Sequence, residues 1–127
     1  GSASRIVHMG AWKTWTPTFT GFSVNPPSVT ARYTQIGKLV IAFVAMGNGT
    51  SNASTFTLTL PVAAANTVKQ QFPAAVQTNN GAALLEPALI KTRVNSTTAD
   101  IFKDASGAGW STIGGKKVIF TIMYETN

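Results

Sequence analysis

Residues Leu39 to Met46 limit the fold of this chain more than any other stretch. All eight are apolar, and in an extended strand successive side chains point to opposite faces. Leu39, Ile41, Phe43 and Ala45 therefore form one apolar row, and Val40, Ala42, Val44 and Met46 form the other. A strand with one wet face alternates, whereas a strand apolar on both faces must be covered twice. An opposing sheet is the expected cover on one side. Something beyond that sheet is needed on the other. Eight residues also fall far short of the ~20 that cross a bilayer as a helix, so no membrane insertion is expected.

The rest of the chain has the same period of two. Thr55 to Leu60 alternates, with Phe56, Leu58 and Leu60 predicted inward, and in Lys117 to Glu125 the residues Val118, Phe120, Ile122 and Tyr124 share a face. Val29 to Gln35 turns through Gly37 into the apolar strand, and Thr97 to Lys103 is a short strand. Lys13 to Thr20 is broken by Pro17, which demotes it to an edge or a bulge. Thr67 to Gln77 and Ala82 to Val94 read as two extended stretches around Asn79-Asn80-Gly81. No window carries a helical stripe. The pattern predicts an all-β, antiparallel two-sheet sandwich over residues 12–127, jelly-roll-like, with about eight strands.

Tyr33, Phe43, Phe56, Phe120, Ile122 and Tyr124 are the predicted core, with Met46 and Met123 as gap-fillers. Residues 1–11 carry no pattern. Gly1 to Ser4 reads as a tag remnant, Arg5 to Ala11 as the tail of a linker, and His8 is expected to be disordered. The second apolar row of a small domain resembles a core cut in half, so part of it is expected to be an interface between copies.

Composition removes most catalytic classes. The 127 residues contain no Cys and one His, so there is no disulfide framework, thiol nucleophile or His-rich metal site. Glu86, Asp100, Asp104 and Glu125 are the four carboxylates. None has the clustered spacing of a cation loop. Paired-acid sugar chemistry would need Glu86, Asp100 or Asp104 to converge from neighbouring chains. No cofactor, metal or catalytic residue is expected. The net charge of +6 comes from ten scattered Lys and Arg. With no basic run, no recognition helix and no aromatic ladder, no nucleic-acid partner is expected. Lys116 and Lys117, beside Gly114-Gly115, read as turn residues.

Three stretches have a family likeness: Trp15-Thr16-Pro17-Thr18-Phe19-Thr20-Gly21; Tyr33-Thr34-Gln35-Ile36-Gly37-Lys38-Leu39-Val40, followed by Leu58-Thr59-Leu60-Pro61; and the ending Phe120-Thr121-Ile122-Met123-Tyr124-Glu125-Thr126. In that order the chain resembles the C-terminal head or tip domains of tailed-bacteriophage receptor-binding proteins and tail fibres. The resemblance implies a homotrimeric, non-enzymatic knob of the virion, joined to an upstream fibre or tail protein. Such a knob adheres to a host cell-surface saccharide or envelope receptor. A purely structural virion trimer, such as a capsid decoration or baseplate component, is the alternative. Residues 61–115 match no motif of the family.

Candidate contacts follow from side-chain chemistry. Trp110, after Gly107-Ala108-Gly109, is either a stacking platform for a sugar ring or a cap on the core. Asn48, Asn52, Asn79 and Asn80 offer amides to a ligand, with plain turn chemistry as the alternative. Lys91 and Arg93 share a strand face and would grip an acidic glycan or pair between chains. Asp104 would accept from sugar hydroxyls. Trp15 is expected to be structural.

Overall fold

The computed structural model describes residues 11–127; residues 1–10, with His8 and most of the proposed remnant and linker, lie outside the described residues. The described residues form thirteen strands, many of them short, and no helix. They are β1 (Lys13–Thr14), β2 (Phe19–Thr20), β3 (Phe22–Val24), β4 (Thr30–Ile36), β5 (Leu39–Ala45), β6 (Gly49–Ser51) and β7 (Phe56–Thr59). The rest are β8 (Gln71–Pro73), β9 (Val76–Asn79), β10 (Ala82–Ala83), β11 (Leu89–Thr92), β12 (Thr98–Phe102) and β13 (Gly115–Glu125).

Two antiparallel sheets pack as a sandwich. The smaller has the order β2-β7-β12-β11-β8, and the larger β1-β4-β5-β13-β6-β3, with β9 and β10 attached through β13. β13 is the spine of the larger sheet: Phe120–Glu125 pairs β5, Lys116 pairs Gly49 of β6, and Lys116–Ile119 pairs β9. The strand count exceeds the expected eight because three predicted stretches split and two short strands, β3 and β6, form in segments read as loops. Lys13 to Thr20 divides at buried Pro17 into β1 and β2, and Thr67 to Gln77 divides into β8 and β9. Ala82 to Val94 divides into β10 and β11. Each pair lies in different sheets.

The core lies where the alternation put it. Phe56, Leu58 and Leu60 face Val40, Ala42, Val44, Val118, Phe120, Ile122 and Tyr124 across the sandwich, all buried. The Tyr124 hydroxyl donates to Val62 O at 2.7 Å, so its polar tip is satisfied inside. Trp15 is structural: its indole N–H donates to Thr59 O at 3.0 Å and its ring meets Tyr33 edge-on. Met46 fills the core as expected.

Two core expectations are corrected. Phe43 is opposite Arg32 and Thr121 in the register, so it stands on the outer face of the large sheet, half-buried beneath the Arg32 guanidinium. Met123, beside Ile41, is 56% exposed on the same face. Period two assigns a residue to a face, but not which face is inside. The chain itself therefore covers β5 once. Leu39, Ile41, Phe43 and Ala45, with Ile36 and Met123, form an outer face that no other segment of the described chain closes.

The sandwich also has two unlike ends. β1 pairs Lys13 with Tyr33 and Thr14 with Arg32, so residue 11 lies toward the Gly37-Lys38 turn. Thr126 N–H bonds Lys38 O there, and Ala64 bridges Thr126. The turn after β5, the β9–β10 hairpin and the segments before β7, before β11 and after β12 occupy the opposite end.

Candidate functional site

At that loop end the backbone explains most of the asparagines. Asn80 and Gly81 have φ of 51° and 80° and form the two-residue turn between β9 and β10 that Asn-Gly favours. Asn79 Oδ1 accepts from Ser111 N–H at 3.0 Å, and Gly81 N–H donates to Gly115 O. Gly114 (φ 84°) packs so tightly on Asn80 that a Cβ there would overlap it. Asn48 sits beside Gly115, and Asn52 N–H bonds Gly21 O. The fold thus brings Asn48, Asn79 and Asn80 together around Gly114-Gly115. Asn79 is committed to holding the loops, whereas the side chains of Asn48, Asn52 and Asn80 stay exposed.

Under this cluster lies a buried cation. Lys116 and Lys117 are strand residues of β13, not turn residues, and Lys116 is fully buried. Its Nζ lies 5.3 Å from the Phe22 ring centre and 5.8 Å from those of Phe56 and Trp110. It donates to Ala53 O at 2.9 Å and Gly21 O at 3.5 Å. Gly21 holds its carbonyl in place with φ of 93°, and a Cβ would run into Thr55 O. Burial pushes the Lys116 pKa down to about 8, because no carboxylate compensates the lost hydration.

Trp110 belongs to this cage. It is buried, its indole N–H donates to Ile101 O at 2.8 Å, and its backbone N–H bonds Ser54 O. Of its two readings the structure takes the core cap; no face of the ring is free to stack on a ligand. Lys91 lies on the outer face of the small sheet, and Arg93, one residue past the end of β11 rather than within the strand, reaches Asp100 on that face. The Arg93 guanidinium forms a two-pronged pair with Asp100 of the same chain at 2.7 and 2.8 Å. That pairing corrects the free basic grip, since Asp100 stands opposite Lys91 in the register.

Asp104 is in a different setting. It lines two adjoining cavities of about 380 and 460 Å³, and Glu86 lines both with it. Sizes of this order are typical of small-ligand sites. Asp104 Oδ1 accepts from the backbone N–H and hydroxyl of Ser106, which holds its carboxyl below the usual carboxylate range. Gln77, on the inward face of β9, lines the larger sheet's side of the first cavity, and its Nε2 donates to Glu86 O. Its Oε1 is buried with no partner. Leu84, Leu85 and Lys103 complete the lining, and Leu85 is fully exposed.

Comparison with models of known protein families returned no match, and no curated protein matches the chain. The geometry has to carry the assignment. Gln77, Lys103, Leu84 and Leu85 are groove residues that sequence reasoning did not select, and Glu86 was weighed only as an acid converging from a neighbouring chain, whereas it lines the same cavities as Asp104 within one chain. One signal was available: within Ala82 to Val94, read as extended, the apolar pair Leu84-Leu85 precedes Glu86-Pro87 without alternation.

Proposed function

We propose that this domain is a non-enzymatic adhesion module, the receptor-binding tip of a phage tail fibre that works as a homotrimer on host cell-surface saccharide. It acts outside the cell, carried on the virion by an upstream fibre or tail protein. The observation that carries the reading is the polarity of the fold. Residue 11 and the Gly37-Lys38 turn lie at one end, while the exposed polar loops and the Glu86–Asp104 groove gather toward the other. Contact groups on loops held by a rigid scaffold suit recognition. The outer face of β5 supports the trimer: a contiguous apolar face of this kind is a usual mark of an interface, and neighbouring copies would cover Leu39, Ile41, Phe43 and Met123. Several weak sites per assembly then add through effective concentration.

An array of bacterial envelope polysaccharides, with competition of phage adsorption by the isolated domain, tests the adhesion. Binding to a saccharide and blocked adsorption are expected. A domain that does neither is a structural virion component instead. Light scattering tests the assembly separately, with about three times the 13.3 kDa chain mass expected. A monomer removes the trimer, and Ile41→Asp is expected to produce one.

A further inference from the structure

We infer that the groove between Leu84–Glu86 and Lys103–Asp104 binds a sugar ring that brings hydrogen-bond donors, hydroxyl or amine, and no negative charge. The inference rests on the adhesion reading above and names its site and ligand class.

Charge is the first argument. The chain is basic overall, at +6, yet two of its four acidic residues line the same pair of cavities. An anionic glycan drawn by the net charge meets two carboxylates there against one cation, Lys103. A neutral or amine-bearing sugar meets acceptors suited to it.

The second argument is the set of unused acceptors. The hydrogen bonds to Asp104 all engage Oδ1, which leaves Oδ2 open to a ligand. Gln77 is 2% exposed, and its Oε1 has no donor. A buried acceptor without a partner is costly; Gln77 lines the first cavity, and a turn of its amide toward that space would let a ligand hydroxyl or amine satisfy it. Hydrogen bonds to the two carboxylates are the stronger, charge-assisted kind.

Third, the groove has an apolar side. Leu84 and Leu85 are exposed where nothing in the fold needs them. Together with Ala83 they offer a surface for the C–H face of a pyranose, while the polar groups fix its orientation.

The test is a titration of the isotopically labelled domain with three sets of monosaccharides: neutral hexoses, the matching amino sugars and the matching uronic acids. Amide shifts at Gln77, Leu85, Glu86 and Asp104 are expected with the first two sets and not with the third. Glu86→Gln, an exposed change, is expected to weaken binding about tenfold with an unchanged melting curve. Asp104→Asn serves as the second variant. Equal binding of uronic acids, absence of shifts at the groove, or release of reducing sugar from a bound polysaccharide each overturns the inference. If the domain binds the polysaccharide array and both variants bind it equally well, the groove is the wrong site while adhesion stands. If the array is silent for the parent domain, both readings fall together.

Discussion

Two polar sites lie near the loop end, and they are built in opposite ways. Around Lys116 three aromatic rings and two backbone carbonyls close on one ammonium and leave no opening to solvent. Around Glu86 and Asp104 the polar groups face a groove, and Gln77 keeps an acceptor without a donor. A buried polar group is tolerated when its partners come from the same chain. A missing partner suggests a ligand only where the group also lines a groove, as Gln77 does; Thr34 Oγ1, buried without a partner in β4, lines neither of the Glu86–Asp104 cavities. The contrast separates a structural polar site from a binding one without any appeal to residue type, since Lys and Trp are as familiar in sugar sites as Asp and Glu.

The largest expected effect tests how the closed site is held. Lys116→Ala would leave a cavity among Phe22, Phe56 and Trp110 and strand the Ala53 carbonyl, at a cost of about 3 kcal/mol in urea unfolding. Lys116→Met keeps the volume and removes the desolvated charge, so it is expected to stay within about 1 kcal/mol of the parent. Equal losses for the two variants would mean that the charge, rather than the packing, holds the cage.

The next effect is the pH dependence of the same group. The folded-state pKa of Lys116 is about 8, below its ordinary 10.5. Between those values the unfolded chain binds a proton that the folded chain has released, so stability rises with pH, by roughly 2 kcal/mol from pH 8 to 10. Tyr124 acts the other way. Burial raises its pKa above the ordinary 10.0, so the stability it contributes is present below pH 10 and declines above it. Chemical denaturation from pH 7 to 11 should show a maximum near pH 10, and Lys116→Met should flatten the rise. A flat profile in the parent means the ammonium is hydrated and the cage open.

Smaller effects probe the open side of the contrast. Leu85→Ala removes a fully exposed side chain and should change stability by less than about 0.5 kcal/mol, while weakening sugar binding several-fold in calorimetry. A stability loss above about 1 kcal/mol would make Leu85 a packing residue and the groove an ordinary crevice. Arg93→Ala breaks the exposed pair with Asp100 and should cost about 0.5 kcal/mol at low salt and nearly nothing at 1 M. Its effect on sugar binding should be nil, because the small sheet's outer face is not the site.

Much of this was legible in the chain. Alternation in Thr55 to Leu60 and Lys117 to Glu125 named the inward residues, and the Asn-Gly turn between β9 and β10 was plain from residue type. Lys116 was legible too, for the row Val118, Phe120, Ile122, Tyr124 extends back by two to reach it. The pair Gly114-Gly115 read as a turn and hid that step. Trp110 was not decidable, since glycines before an indole suit an exposed loop and a tight core approach equally well.

Local pattern, then, determined that the chain is all β, where its main hairpin turns and which residues of each strand share a face, because period two and turn dihedrals are properties of neighbours. Tertiary structure alone decided which sheet each short strand joins. It also decided that Phe43 and Met123 face outward, and that Glu86 meets Asp104 across 18 residues of chain. Those outcomes depend on contacts between segments far apart in sequence. No local rule of spacing carries that information.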